Sequence, residues 1–486
     1  MGVFARIGAG LVAGVAIASL ASHCHYARLS DADSARVDAA LGKTSLSPTE
    51  LRADIAELRR LMRDVHPAAI PSLPYDDPSP ALDELSAALD APLDHLGFYR
   101  RLAPVANRLN DEHTMVFPSE HDRARMAGPE AVRIPLDVAL IDGRLYVDEN
   151  HSEVASIRPG DEILSINGYA VDHVVERLTG YYSGTRLHQK QYYAVADFAA
   201  ALPLILDVVG PYRVRFRSAE TGIESLRELP GVEWIEDKGA PFRISQPSAG
   251  VMLFEWHAFE DDADQFDEFL TSMFESARTN NIGALIIDIR DNQGGAASYG
   301  DDVIEYLTDT PFSQLERVEV TVSESVRAEF LGYVPGALRW LPIQYLHPWL
   351  RPLWTSEPGD SVVIPMDPVV PAADVPRFSG DVFLLIGPGT MSSASLFAAA
   401  LKALGLATLV GEATGGHATM YGNLVDARLP NSGLRVWMPT SVVAGLAVGP
   451  VTPDFRVARS VRDVAGSNDA VLKFALDLAT GQAADQ

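Results

Sequence analysis

Two separated stretches of the chain are built to one plan. At 284–290 the run ALIIDIR leads into Asp291-Asn292-Gln293-Gly294-Gly295, and at 381–387 the run DVFLLIG leads through Pro388 and Gly389 into the segment TMSSASLFAAAL. A strand that is apolar without alternation belongs to a sheet covered on both faces. Just upstream of the first run, GVMLFEW reads as another strand, and Phe266, Phe269, Leu270, Met273, Phe274 and Ala277 then recur on one helical face. After the second run, 392–404 reads as a helix and ATLVGEA as a further strand. Strands alternating with helices predict an α/β core with helices packed on a sheet, spanning 245–465.

The rest of the chain has a different character. Leu51, Ile55, Leu58, Leu61, Met62 and Val65 keep helical spacing, with Ser47 and Thr49 as caps and Pro67 as a stop. Helices are also expected around 82–89 and 96–109, the latter kinked or interrupted at Pro104, which makes a helical unit over 45–117. From 132 to 235 short alternating segments read as strands. There Pro159-Gly160-Asp161 is a turn, 163–166 a strand and Asn167-Gly168 a tight hairpin before a helix. Inside the α/β core, 323–380 breaks the rhythm with prolines and aromatics. This insertion reads either as a cap or membrane-touching flap over a site, or as an irregular segment burying its own aromatics.

Composition narrows the function classes. A formal net charge of −26 over 486 residues, with no basic stripe, argues against a nucleic-acid partner. The single cysteine, Cys24, excludes an internal disulfide and a cysteine-rich zinc site. HExxH is absent and the 12 histidines form no ligand-spaced cluster beyond His23-Cys24-His25, so neither a metal nor an organic cofactor is expected. Residues 1–24 carry one charge, Arg6, before an uncharged stretch over 7–22, and read as a signal peptide or membrane anchor. The expectation is export to the periplasm or cell envelope. Membrane attachment at the N-terminus and lipoprotein processing at Cys24 are alternatives, the latter with His23 where a small residue is usual.

Chemistry is expected at the two glycine turns. Successive glycines after a strand let backbone N–H groups face a developing oxyanion, and this turn is neither a Walker loop nor a GxGxxG fingerprint. A serine at a helix start lies at the positive end of the macrodipole, although most such serines are caps. G-x-S-x-G is not matched around Ser392.

The segment GDEILSING with the helix after it resembles a PDZ module. Together with LIIDIRDNQGG, GTMSSASLFAAALK, LVGEATGGHATMYGNLVDARLPNSG and VTPDF, it makes residues 47–460 resemble the S41 serine peptidases, which include tail-specific (C-terminal processing) and tricorn-like branches. The resemblance implies a crotonase/Clp-like ββα core with an N-terminal helical unit and a PDZ-like module: an α/β core in a multi-domain α+β chain. Carried over by motif, Ser392 is the nucleophile. The amides of Ser393 and of Gly294 or Gly295 form the oxyanion hole, and Ser395 stands where the family often has glutamate. The lysine of the tail-specific branch falls on His417, while Lys402 lies ten residues along the same helix, about 15 Å away. The tricorn-like branch instead carries D-x-H-T, here Asp111-Glu112-His113-Thr114, which implies His113 as general base and leaves His417 as its rival. For the orienting third group Glu412, Asp111 and Asp454 are candidates, because the family's glutamate aligns with Ala447. The implied activity is hydrolysis of protein or peptide substrates, presented by their C-terminus through the PDZ-like module. The alternative is a non-catalytic lipid- or peptide-binding protein on the same scaffold, to which the aromatic 331–354 segment would suit an apolar ligand.

Overall fold

The computed structural model describes residues 43–67, 76–127, 131–233, 240–260, 263–332, 334, 340–466 and 468–482. The signal or anchor expectation for 1–24 lies outside them.

The core sheet runs in the order Phe242–Ser248, Val251–Trp256, Ala284–Asp288, Asp381–Ile386, Thr408–Gly411, Phe455–Arg456. Its first pair is antiparallel and the remaining pairs are parallel. The unbroken apolar runs now have a cause. On one face Leu285, Ile287, Leu384 and Ile386 pack with Phe266 and Met273 of the helix Ala263–Thr279 and with Phe397 and Leu401 of the helix Ser393–Ala403. On the other, Ala284, Ile286, Phe383 and Leu385 pack with Val471 and Ala475 of the helix Ala470–Ala479. Successive strand residues point to opposite faces, so a sheet covered twice leaves no polar position along the strand. The covering helix Ala470–Ala479 lies beyond the 465 boundary read from sequence.

A second, antiparallel sheet joins Met115–Phe117, Arg435–Gly445, Leu315–Thr321 and Ser361–Pro365, with Thr419–Arg428 also paired to Arg435–Gly445. A short strand of the N-terminal unit is thus built into a sheet whose other strands all come from the second half of the chain. The insertion 323–380 contributes the strand Ser361–Pro365 to the same sheet. Phe330, Leu350 and Leu353 of the insertion form a small core with Val318 and Val320 of the neighbouring strand, while Trp340 and Leu346 stay 78% and 74% exposed.

The helical unit starts at Pro48–Asp64, where Ser47 and Glu50 form a capping box. It continues through Ser79–Ala88 and His95–Ala106. Pro104 sits inside the last of these, which runs on for two residues and passes into the 3-10 turn Asn107–Leu109. So close to the helix end, the missing N–H terminates the helix rather than kinking it. The third sheet holds Leu136–Ile141, Arg144–Asn150, Glu162–Ile166, Tyr212–Arg217 and Glu224–Leu229, with Tyr169–Ala170 hairpinned onto Glu162–Ile166. Asn167 and Gly168 take φ of 47° and 88° in that hairpin, the left-handed pair a type I′ turn requires. Three helices, Val171–Thr179, Leu187–Ala196 and Phe198–Leu206, fill the connection to Tyr212–Arg217. One apolar cluster runs through the N-terminal helices, this sheet and Leu429, Leu434 and Met438 of the core hairpin.

Asp54 closes that joint. It is fully buried and accepts from the Asn431 amide at 3.0 Å, Asn431 Nδ2 at 2.8 Å and the Ser432 amide at 2.7 Å. An Asp54→Ala chain is expected to lose about 2–3 kcal/mol, because buried donors to a carboxylate lose their acceptor. Denaturant unfolding measures the loss, and a change under about 0.5 kcal/mol, the size of an ordinary surface substitution, would contradict it.

Candidate active site

The two glycine turns meet because the strands before them pair in parallel, with Asp288 opposite Leu385. Both turns therefore leave the same edge of the sheet, at the carboxyl ends of adjacent strands, where ligands bind in open α/β sheets. Asn292 stitches them together. Wholly buried, it donates from Nδ2 to the Trp256 carbonyl at 2.9 Å, accepts the Gly294 amide on Oδ1 at 2.8 Å, and accepts the Met391 amide on its carbonyl at 2.9 Å. Thr390 adds a second stitch, donating from Oγ1 to the Ile289 carbonyl at 2.8 Å. Gly294 takes φ of 91°, and a Cβ there would lie 2.8 Å from Ser392 Cβ. Gly295 takes φ of 137°, and a Cβ there would lie 2.3 Å from the Phe259 carbonyl oxygen. No side chain fits at either position.

The hydroxyls at the start of the helix Ser393–Ala403 have separate surroundings. Ser393 Oγ donates to the Gly295 carbonyl at 2.5 Å, and Ser395 Oγ donates to the Thr390 carbonyl at 3.1 Å. Ser392 occupies the N-cap position, yet its side chain caps nothing. Its backbone sits at φ 49°, ψ −127°, a region costing a non-glycine residue on the order of 1–3 kcal/mol. Its Oγ lies 3.2 Å from His113 Nε2. The Gly294 amide is committed to Asn292, which separates it from Gly295. The amides of Gly295 and Ser393 donate to no group among the described residues, and both residues line the cleft in front of Ser392.

His113 reaches this point because the strand Met115–Phe117 pairs with Arg435–Gly445, Met115 opposite Trp437. Asp111 shapes the approach. It is fully buried, and its Oδ1 accepts the amides of His113, at 2.6 Å, and of Thr114, while Oδ2 lies 3.2 Å from His66 Nε2. Although its burial opposes ionisation, the His66 and Thr114 hydrogen bonds hold the Asp111 carboxyl below the usual carboxylate range. Burial lowers the His113 pKa, against the pull of the Asp111 charge and the Tyr421 main chain, so the imidazole is neutral at neutral pH. Its Nδ1 is buried on the side away from Ser392, and the Tyr421 main chain is the hydrogen-bonding group that acts on this imidazole.

The other sequence candidates lie elsewhere. His417 Nε2 pairs with Thr185 Oγ1 at 3.1 Å. Glu412 lines a separate polar cavity with Arg290 and Asp469. Lys402 donates to the Thr452 carbonyl at 2.5 Å and pairs with Asp454 at 3.1 Å, and Asp454 also accepts the Leu409 amide at 2.9 Å. Among the described residues, then, no carboxylate takes the orienting place at His113 Nδ1. The one metal-type grouping among them, Asp137, Glu149 and His151, sits on the third sheet with two members exposed.

Glu112 escaped the sequence reading, which took it only as the variable position of D-x-H-T. It is buried and accepts the His417 amide at 3.0 Å and the Thr185 hydroxyl at 3.4 Å. It thereby ties the histidine loop to the turn 414–417, whose Gly416 packs 3.0 Å, measured from an added Cβ, from the Ser392 nitrogen. An acidic residue beside an aspartate gives no sequence signal of being buried. Burial pushes its pKa up to about 8 from 4.5; the His417 amide, the Thr185 hydroxyl and Arg186 oppose that rise, and the Asp111 charge adds to it.

The folded chain therefore keeps the Glu112 proton up to about pH 8, whereas the unfolded chain releases it near 4.5. In that window unfolding releases a proton, so rising pH erodes stability. Glu112→Gln removes the titration, and its stability relative to the unsubstituted chain is expected to rise with pH across the window. Melts at several pH values test this, and a difference that stays flat would contradict a neutral Glu112.

Residues 251–436 match the family model for peptidase family S41. Among solved structures, a serine-to-alanine mutant of CPAF superposes with a TM-score of 0.69 at 17% identity, covering 90% of this chain and 98% of that one. Mature CPAF complexed with lactacystin gives 0.66 at 17%, covering 89% and 99%, and mature CPAF alone gives 0.64 at 18%, covering 89% and 98%. At these identities the likeness is one of fold. No curated protein sequence matches significantly. The 251–436 core is therefore matched to peptidase family S41, and the mixed α/β fold around it is shared with CPAF over nine-tenths of the chain.

Proposed function

We propose that the chain hydrolyses peptide bonds with Ser392 as nucleophile and His113 as general base. The observation that carries this reading is the Ser392 hydroxyl, which caps no helix and lies 3.2 Å from a half-buried, neutral imidazole. A serine hydroxyl becomes a useful nucleophile only with a base in hydrogen-bond reach. In the step, His113 Nε2 takes the Ser392 proton as Oγ bonds to the carbonyl carbon. The negative charge moves onto the carbonyl oxygen, towards the amides of Gly295 and Ser393. The imidazolium then protonates the leaving amine, the C–N bond breaks, and an acyl-enzyme remains. Water attacks that ester by the same proton route in reverse and frees Ser392.

Asp111 acts here as a positioning residue. It holds the His113 main chain, and its charge favours the imidazolium from a distance. A site without a carboxylate on Nδ1 relies on burial and the Tyr421 main chain to keep the proton on Nδ1 and the lone pair on Nε2. A purely binding role leaves the strained, uncapped serine without a reason. We also propose that the substrates are exported proteins or peptides, and that the PDZ-like region, 132–235, presents a chain or its C-terminus by strand addition.

A fluorophosphonate probe is expected to label the purified chain at one site and to leave Ser392→Ala unlabelled. His113→Ala is expected to cut peptide hydrolysis by about 10²–10⁴-fold. Labelling that persists in Ser392→Ala would remove the nucleophile assignment. Because burial holds the His113 pKa below 6.5, activity should rise with pH through a midpoint under 6.5 and plateau above it. A midpoint at or above that value in the pH dependence of kcat/KM would point to another base.

A further inference from the structure

The cleft in front of Ser392 holds about 420 Å³, within the range of about 300–1,000 Å³ typical of ligand sites. Its lining is of two kinds. His257, Glu260, Asp291 and Gln293 come from the segments around the glycine turn, and Asn423 from a long strand. The apolar lining comes from three parts of the chain. Leu396 belongs to the nucleophile's own helix, Met420 and Val443 come from the paired long strands, and Phe330, Trp349 and Met366 come from the 323–380 insertion. Leu396, Met420 and Val443 pack as one cluster. The Leu396 amide donates to the Ser392 carbonyl at 3.2 Å, which puts this floor one helical turn, about 5.4 Å along the axis, below the reacting serine.

Resting on the peptidase reading above, we propose that this recess is a specificity pocket for one large apolar side chain, carried by the residue whose carbonyl Ser392 attacks. One helical turn is within the reach of such a side chain from the scissile carbonyl. Aliphatic, methionine and aromatic groups offer a charged or amide side chain no hydrogen bond, and burying it against them costs free energy. A phenylalanine or leucine loses apolar surface to the wall and gains dispersion contacts. Alanine, with a single methyl group, offers the wall far less apolar surface. The insertion thus supplies discrimination at the bond that is cut, a function that its exposed residues Trp340 and Leu346 do not reveal.

The test uses internally quenched peptides that are identical except for one central residue: Phe, Leu, Ala or Lys. The pocket predicts kcat/KM for Phe and Leu at least about tenfold above Ala, with Lys lowest. Mass spectrometry should place the central Phe at the new C-terminus. Trp349→Ala and, as a second variant, Met366→Ala should each shrink the Phe-over-Ala ratio, the former by about tenfold, with thermal melts showing that each is folded. Equal cleavage of the Phe and Ala peptides by a chain that fluorophosphonate labels at Ser392 overturns the pocket and leaves the peptidase. A cut that places Phe on the amine side of the bond also overturns it. Fluorescence anisotropy with the Ser392→Ala chain separates the two readings. Tenfold tighter binding of the Phe peptide in the absence of any fluorophosphonate adduct on the unsubstituted chain sinks the reaction and keeps the pocket. Equal binding of the two peptides sinks the pocket whether or not the adduct forms.

Discussion

The parallel pairing of Ala284–Asp288 with Asp381–Ile386 is the constraint on which the rest of the site depends. Two strands almost a hundred residues apart end side by side, and each hands its chain to a glycine turn. Asn292 converts that proximity into fixed geometry, since one side chain bonds the Trp256 carbonyl and the Gly294 amide while its own carbonyl holds Met391. With the turn 292–295 and the residue before Ser392 locked together, the strained backbone at Ser392 is over-determined by its neighbours. Such strain survives only where the surrounding structure imposes it.

The histidine beside Ser392 arrives from the opposite end of the chain. His113 is carried on a loop whose main chain is held by a buried aspartate and whose next strand is hydrogen-bonded into the core's second sheet. Glu112, beside it, reaches across to the turn under Ser392. His113 and Ser392 are therefore braced against each other twice, once through the sheet and once through a buried carboxyl. Asp54, bound to the hairpin turn at 431–432, fastens the helical unit to the same hairpin further out. The N-terminal helices thus form part of the structure that aims His113.

Some of this was legible in the residues. The unbroken apolar runs implied a sheet covered twice, because strand side chains alternate between faces and both faces are dry. Of the two cap candidates Ser47 announced the helix start, while Thr49 lies inside the first turn, and Asn167-Gly168 announced its hairpin, because caps and tight turns are decided within four residues. The hydroxyl-rich start of the helix Ser393–Ala403 was visible too, but not the division of labour among its serines. Ser393 turns to the Gly295 carbonyl and Ser395 to the Thr390 carbonyl, contacts set by how the two turns stack. The same stacking commits the Gly294 amide to Asn292 and leaves Gly295 open, a difference between two adjacent glycines that no local pattern encodes.

The sequence by itself determined the strands, the helices, the glycine positions and the residue types able to do acyl-transfer chemistry, since each follows from periodicity, turn stereochemistry or side-chain chemistry over short spans. Only the tertiary structure decided which of those residues meet. It set His113, and not His417, beside Ser392, placed Glu412 in another cavity, buried Glu112, and turned an aromatic insertion into one wall of the cleft. Those outcomes depend on pairings between segments hundreds of residues apart, such as Met115 with Trp437, whose free energy is shared by the whole packed molecule and by no motif within it.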